Sequence, residues 1–206
     1  MSAKEKKQTY PESELMNREE AISRVLDMIG PDAVYLATTG RATRELHEHL
    51  LQRRWTKGNE FLNVGAMGHL SSVALGMATA CPQKQIVIFD GDAAAVMHMG
   101  SMATIGRYPC PNILHIVLNN GVNESVGGQP SAGNIINLTL VAEACGYVTP
   151  GNYLTNSNEV KKFLGTSYNG KPRFVDLHIR QGIRPDMPKL SIDHHIQKNK
   201  LMKFLK

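Results

Sequence analysis

The chain has 206 residues, a net charge of +5 and an apolar fraction of 42%, which is enough for one globular domain with a buried core. Much of the basic excess lies at the two ends and aromatic residues are only 6%, so a nucleic-acid-binding surface is disfavoured. The sequence contains no apolar run near the roughly 20 residues of a membrane span and no secretory signal. Its three cysteines are widely separated, so we expect reduced thiols and a cytoplasmic location.

Predicted strands and helices alternate along the chain. Asn17 begins a capping-box pattern, and Gly30 ends the helix that follows it. The predicted strands are 33–37, 61–64, 86–89, 113–118 and 174–179, and the later predicted helices are 44–51, 71–80, a stretch after Ala93 that includes His98 and Met99, 138–145, 158–164 and 196–205. This order predicts an α/β fold with a doubly wound, mainly parallel sheet. We expect a polar leader (1–16), one domain (17–190) and a basic tail (191–206).

The ends of two neighbouring strands carry the most specific chemistry. One apolar strand runs into Gly91-Asp92-Ala93, and the next ends at Asn119-Asn120, so Asn120 follows Asp92 by 28 positions (120 − 92). Parallel strands bring such residues to one sheet edge, where small residues let a phosphate approach backbone N–H groups. Carboxylate, carboxamide and carbonyl oxygens suit Mg²⁺. Simpler interpretations remain open, because Asp92 could cap a helix and the asparagines could be turn residues.

Glycine-containing turns follow three of the candidate strands, at 38–40, 65–68 and 91–93. A single turn of this kind is weak evidence, since glycine ends many strand-to-helix turns for steric reasons. The first turn lacks the G-x-G-x-x-G fingerprint, which argues against a dinucleotide-binding Rossmann domain.

These motifs together resemble the diphosphate-binding domain of thiamine-diphosphate enzymes, whose signature is GDG followed by N or NN. The segments TTGRATREL, VGAMGHLSSVALGMA and DGDAAAVMHMGSMATIGRYPCPNILHIVLNNGVNESVGGQPS resemble the C-terminal half of phosphonopyruvate decarboxylases. They are also similar to the β subunits of sulfopyruvate decarboxylases. The resemblance covers about residues 17–205 and implies the thiamine-diphosphate-binding fold.

The resemblance implies a role for individual residues. The metal ligands would be Asp92, Asn120 and the carbonyl group of Val122. The cofactor-binding residues would be Thr39, Gly40, Gly65, Met67, Gly91, Asp92, Ala93, Ala94 and Asn120. Among the catalytic residues, Met67 would hold the two cofactor rings in a bent form. We add His69 from its position, because it lies beside Gly68 at the expected rim, where it could contact the substrate. Ala93 replaces the third glycine of GDG, and Asn123-Glu124 replaces a frequent His-Asp pair, so a proton-transfer role for that histidine does not carry over.

The resemblance also implies an activity. With thiamine diphosphate and Mg²⁺, the enzyme would decarboxylate a small anionic 2-oxoacid, converting phosphonopyruvate to phosphonoacetaldehyde and CO₂. The sulfopyruvate reaction, which gives sulfoacetaldehyde, is the alternative, and the SVGGQ segment (125–129) favours the first. The candidates for binding the phosphonate are Arg41, Arg44 and Arg107.

We expect this chain to be the β-type subunit of a split enzyme. In the family, a glutamate on a separate pyrimidine-binding domain activates the cofactor, and no room for that domain precedes the diphosphate domain here. An α-type subunit would therefore supply the glutamate. A non-catalytic regulatory subunit is the alternative from another functional class, and the presence of Asp92 and Asn120 argues against it.

Overall fold

A parallel sheet forms the centre of the computed structural model, which describes residues 12–38, 40–63, 65–167 and 169–206. The strands are β1 (Val34–Thr38), β2 (Glu60–Asn63), β3 (Ile86–Gly91), β4 (Ile113–Asn119), β5 (Val122–Asn123), β6 (Gln129–Pro130) and β7 (Arg173–His178). Five of them pair in parallel in the order β2-β1-β3-β4-β7, and β5 and β6 form a short antiparallel pair. The predicted doubly wound, mainly parallel α/β fold is confirmed.

Helices cover both faces of this sheet. They are α1 (Arg18–Ile29), α2 (Arg41–Gln52), α3 (Leu70–Ala80), α4 (Asp92–Met97), α5 (Gly100–Arg107), α6 (Leu138–Cys145), α7 (Ser157–Leu164) and α8 (His194–Leu205), with short 3-10 helices at Glu12–Glu14, Glu124–Val126 and Ala132–Asn134. Residues of α1, α2 and α7 pack with one face of the strands, and residues of α3, α5, α6 and α8 pack with the other. The two apolar layers follow the alternation of side chains along each buried strand.

Local chemistry sets most helix boundaries where the sequence predicts them. Asn17 caps α1, because its side-chain oxygen accepts a 2.7 Å hydrogen bond from the Glu20 N–H. Gly30 (φ 92°) and Gly146 (φ 103°) end α1 and α6 in backbone conformations that favour glycine. Helix α2 begins at Arg41, three residues before the predicted start at Arg44.

The helical stretch after Asp92 is broken, contrary to the prediction that His98 and Met99 lie along a helix. Helix α4 ends at Met97 and α5 begins at Gly100, with His98 in a non-helical conformation (φ −126°, ψ 40°). The break turns the His98 ring against the His69 ring, with 4.0 Å between their centroids. This contact joins the starts of α3 and α5.

Both ends of the described chain pack against the domain. Met16 is buried in the core and its carbonyl accepts a hydrogen bond from the Arg180 N–H, while Leu201 of α8 is buried on the other face. The proposed boundaries at 16 and 190 remain predictions, and residues 1–11 of the predicted leader lie outside the described part. Within that part, no helix combines the length and apolar character of a membrane span.

Candidate active site

A cleft opens at the carboxyl edge of the sheet, between β1 and β3. The chain turns from β1 to β2 on one side and from β3 to β4 on the other, so this is the position at which open α/β sheets bind ligands. Eight of the eleven predicted site residues line it: Gly40, Met67, Gly91, Asp92, Ala93, Ala94, Asn120 and Val122. Gly65 and His69 are exposed and are not among the lining residues, and Thr39 lies outside the described residues. The individual roles of these residues remain predictions.

Asp92 is the first residue of α4 and is only 2% exposed. The N-cap position belongs to Gly91, so Asp92 does not fill the capping position that the simpler interpretation assigned to it. Its Oδ2 atom accepts a hydrogen bond from the hydroxyl group of Ser131. The sequence interpretation missed Ser131, because nothing local to residue 131 points to a partner 39 positions away.

Burial raises the pKa of Asp92 above its ordinary value. The hydrogen bond from Ser131 and the backbone N–H groups of the first turn lower this pKa, and the negative charge of Asp176 raises it further. Asp176 is also 2% exposed. Two buried carboxylates near each other are stabilised by a cation, so this electrostatic environment fits a bound metal ion.

The protein oxygens at this site are suited to Mg²⁺ but do not complete its coordination. In the described residues, no group of three His, Cys, Asp or Glu side chains is placed to hold a metal. Mg²⁺ commonly binds one or two carboxylates and takes its remaining ligands from phosphates and water. The available set, with the Asp92 carboxylate, the Asn120 carboxamide and the Val122 carbonyl around one cleft, therefore fits a metal ion that arrives with a diphosphate.

Asn119 and Asn120 both act as turn residues, so this interpretation of them is confirmed. The side-chain oxygen of Asn119 accepts from the Gly121 N–H at 3.1 Å, and that of Asn120 accepts from the Val122 N–H at 3.2 Å. A carboxamide oxygen has two lone pairs, so the Asn120 oxygen can accept this bond and still have one lone pair available. Asn119 instead is buried and donates to Asp176 Oδ1 at 3.1 Å. The Asn119–Asp176 bond ties β4 to β7 below the cleft.

Close packing around Gly133 also holds the Asp92 carboxylate in place. A Cβ atom added to Gly133 would lie 2.5 Å from Asp92 Oδ2 and 2.9 Å from Asn119 Oδ1. Gly121 (φ 70°) is similarly enclosed by the Asn134 side chain. Only glycine fits at residues 121 and 133, so the 3-10 helix Ala132–Asn134 packs directly against the candidate metal site.

An ion-pair network that the sequence interpretation missed borders the cleft. Arg18 lies 2.6 Å from Glu45 and 2.7 Å from Glu124, and Arg41 lies 3.4 Å from Glu124. Burial alone raises the pKa of Glu124, but the hydrogen bonds and charges of Arg18, Gly182 and Arg41 outweigh it, and the pKa falls below its ordinary value. Of the three arginines predicted to bind a phosphonate, Arg41 lines the cleft.

Comparison with known proteins identifies the family to which this domain belongs. The model for the C-terminal TPP binding domain of thiamine pyrophosphate enzymes matches residues 38–177. The chain belongs to the thiamine pyrophosphate enzyme family. The match begins at the end of β1 and includes the cleft, and the predicted resemblance is confirmed. The prediction of a thiamine-diphosphate-binding domain is confirmed with it.

Curated members of this family resemble the chain over most of its length. It is 37% identical over 163 residues to phosphonopyruvate decarboxylase of Streptomyces viridochromogenes, which covers 79% of this chain and 39% of that protein. It is 32% identical to sulfopyruvate decarboxylase subunit beta of Methanocaldococcus jannaschii, covering 64% of this chain and 68% of that subunit. The chain therefore spans about two fifths of the phosphonopyruvate decarboxylase and about two thirds of the separate beta subunit.

A solved family structure shares the fold. The thiamine diphosphate-dependent 4-hydroxybenzoylformate decarboxylase of Rhodococcus jostii superposes with a TM-score of 0.63 at 16% identity, over 89% of this chain and 36% of that one. At this identity the similarity concerns the architecture alone.

Proposed function

We propose that the chain is the β-type subunit of a thiamine-diphosphate-dependent 2-oxoacid decarboxylase that acts on phosphonopyruvate. The observation that carries the proposal is that Asp92 and Asn120, at adjacent strand ends, line one cleft in a domain of this family. Thiamine diphosphate supplies an electron sink for the electrons that the departing CO₂ leaves behind. The protein binds and orients the cofactor and the substrate around that chemistry.

The proposed metal ligands are Asp92, Asn120 and the carbonyl group of Val122, with Mg²⁺ as the ion. The small residues Gly91, Ala93 and Ala94 let the diphosphate approach the backbone at the start of α4. Ala93 replaces a glycine of the family signature, but it lies inside α4, where φ is negative and a methyl group causes no backbone strain. The substitution is therefore compatible with the proposed site.

Of the remaining proposed site residues, some line the cleft and others do not. Met67 is half-buried and lines it, as expected of a side chain that supports the cofactor rings. Gly40 lines the cleft from the start of α2, and we propose that Thr39 and Gly65 contact the cofactor beside it. His69 lies at the start of α3 with its ring against His98, and we propose that it meets the substrate at the rim.

The substrate assignment rests on relatives and on one cation. The identity of 37% to a phosphonopyruvate enzyme extends over 163 residues, whereas the same identity to a sulfopyruvate decarboxylase beta subunit extends over only 86. This supports phosphonopyruvate over sulfopyruvate, which stays the alternative. Arg41 is our candidate for binding the phosphonate, because it lines the cleft, although its guanidinium group is shared with Glu124. Arg44 and Arg107 are not among the residues that line the cleft, which supports Arg41 over both.

We propose an α-type partner subunit that carries the pyrimidine-binding domain and the glutamate that activates the cofactor. The similarity to a relative that is itself named a beta subunit, two thirds of whose length is covered, supports this arrangement. The alternative of a non-catalytic regulatory subunit would not need the complete set of Asp92, Asn120 and a nearby carbonyl group.

A coupled aldehyde assay tests the proposal. The purified chain is measured alone and after mixing with the subunit encoded beside it, with phosphonopyruvate, sulfopyruvate and pyruvate as substrates. We expect no turnover from the chain alone and turnover of phosphonopyruvate from the mixture. Full activity of the chain without a partner would refute the split site. A preference for sulfopyruvate would replace the substrate assignment.

A further inference from the structure

Glu124 lies in the loop that follows β4 and links this loop to three distant parts of the fold. It begins the 3-10 helix Glu124–Val126, two residues after Val122. Its side chain, which is 10% exposed, contacts Arg18 of α1, Arg41 of α2 and the backbone of Gly182. Residues up to 106 positions apart therefore meet at this carboxylate.

Among the described residues, three groups contact the Glu124 carboxylate as hydrogen-bond donors or cations. Arg18 Nη1 donates to Oε2 at 2.7 Å, and Arg41 Nη1 lies 3.4 Å from the same oxygen. The Gly182 N–H donates to Oε1. Arg41 Nη2 also donates to the Glu124 carbonyl at 3.2 Å, so Arg41 holds the side chain and the backbone of this residue together.

A second carboxylate, that of Glu45, also holds Arg18 in place. Arg18 is 7% exposed and makes two hydrogen bonds to the Glu45 carboxylate, at 2.6 Å and 3.0 Å. It lines both the cofactor cleft and a larger cavity of about 490 Å³ beside Gly182. The loop is thus attached, through Glu124, to a buried guanidinium group that is itself hydrogen-bonded to a second carboxylate.

We propose that Glu124 is a positioning residue that fixes the 120–126 loop, and with it the Asn120 side chain and the Val122 carbonyl, at the cleft. Other contacts hold the start of the loop, including the 2.8 Å hydrogen bond from the Ser131 N–H to the Gly121 carbonyl, but β5 and β6 pair over only two residues each, and Glu124 adds the link to α1 and α2. The same contacts set the position of Arg41 at the cleft. The metal part of this inference rests on the proposed function, whereas the anchoring of the loop does not.

Glu124→Gln is the most informative variant, because it keeps the shape of the side chain and replaces one acceptor oxygen with an NH₂ donor. A carboxamide has one acceptor oxygen and one NH₂ group, so either orientation points donor hydrogens at an arginine or at the Gly182 N–H. Glu60→Gln is the matched control: it makes the same change at a carboxylate of similar exposure, 14% against 10%, whose recorded side-chain partner is His47 rather than an arginine of this network.

Hydrogen exchange of the full chain, measured by mass spectrometry well below the melting temperature, tests the anchoring. We expect Glu124→Gln to speed exchange in peptides covering 121–128 by about tenfold, with β4 unchanged. Glu60→Gln should leave exchange of this loop at the wild-type rate. Wild-type loop exchange in Glu124→Gln, or equal acceleration by the control, overturns the proposal. If Glu124→Gln does not fold, Glu124→Asp, which is one methylene shorter, is judged by the same two outcomes.

Calorimetric titration with thiamine diphosphate at fixed Mg²⁺, on the chain together with its partner, tests the consequence for the cofactor. We expect Kd to rise about tenfold in Glu124→Gln and to stay unchanged in Glu60→Gln. An unchanged Kd in Glu124→Gln overturns the link to the metal ligands. A wild-type complex that binds no thiamine diphosphate refutes the proposed function instead, and the exchange experiment still decides whether Glu124 anchors the loop.

Discussion

The hydroxyl group of Ser131 donates a hydrogen bond to Oδ2 of Asp92, joining the start of α4 to a loop 39 residues further along the chain. The same hydroxyl oxygen accepts from the Gly133 N–H at 3.1 Å. Ser131 is thus held by the backbone on one side and holds the carboxylate on the other. This arrangement fixes the rotamer of the proposed metal ligand before any ion binds.

We predict that Ser131→Ala weakens Mg²⁺-dependent binding of thiamine diphosphate by about 10- to 100-fold, because residues that orient a metal ligand have effects of this size. Calorimetric titration of the complex at several Mg²⁺ concentrations measures the change. Ser167→Ala, at an exposed serine that bonds only to Asn169 among the described contacts, is the control and should bind like the wild type. Equal affinity of both variants for thiamine diphosphate would show that the Ser131 hydrogen bond to Asp92 does not contribute to cofactor binding.

Asp92→Ala should abolish binding of thiamine diphosphate and Mg²⁺ while the fold survives. A cation between two phosphates needs an anionic protein ligand, whereas the domain loses only one buried charge. Circular dichroism should be native, and the cofactor titration should show no heat of binding. The control is Asp32→Ala, at a carboxylate that is 87% exposed and pairs only with Lys57 among the described ion pairs. Wild-type cofactor affinity in Asp92→Ala would remove Asp92 from the metal site.

Met67→Ala tests whether this side chain supports the cofactor. We expect diphosphate and Mg²⁺ contacts to persist and the decarboxylation rate to fall by up to about 100-fold, because small misplacements of reacting groups have large kinetic costs. The rate is measured on folded complex at saturating cofactor, since truncation of a packed Met also lowers stability by about 2 to 5 kcal/mol when it is fully buried. Met97→Ala, at a methionine that is 56% exposed, is the control. A wild-type rate in saturated Met67→Ala complex would assign Met67 to ordinary packing.

Gly106→Ala should destabilise the domain by about 1 to 3 kcal/mol through overpacking. The added Cβ atom would lie 1.9 Å from the Cys145 carbonyl oxygen, so α5 and α6 would have to move apart. Gly76→Ala is the matched control in the exposed face of α3, where a Cβ atom meets nothing within 4 Å. That variant should gain about 0.5 to 1 kcal/mol from helix propensity. Urea unfolding measures both, and destabilisation of similar size in both variants would contradict the packing argument.

The His47–Glu60 pair should make stability depend on pH. The hydrogen bond to Glu60 raises the pKa of His47 above 6.5 in the folded state, so folding favours the protonated ring. Its contribution is therefore complete below the ordinary histidine pKa and is lost as the pH rises through the raised value. We expect His47→Gln to reduce the free energy of unfolding more at about pH 6 than at about pH 8.5. His194→Gln, at an exposed histidine, should show no such difference, and an equal loss at both pH values would refute the coupling.

Local patterns along the chain are enough to predict the layout of the fold and the location of the cleft. Apolar runs and their capping residues are local signals, so strands such as β1 and helices such as α6 lie at or within a residue of their predicted positions. Residues at the carboxyl ends of parallel strands must meet at one edge, and for this reason Asp92 and Asn120 were identified together. The helix break at His98 has no local glycine or proline before it, and the sequence pattern did not predict it.

The side chains that support the site depend instead on how distant elements pack together. Ser131 reaches Asp92 across 39 residues, Asn119 reaches Asp176 across 57, and Arg18 reaches Glu124 across 106. Periodicity records which face of an element is buried, but it carries no information about which polar group on another element completes a hydrogen bond. Those partners are selected by the distance between elements after they pack, because a buried charge or carboxamide is stable only where a donor or acceptor of the right geometry meets it.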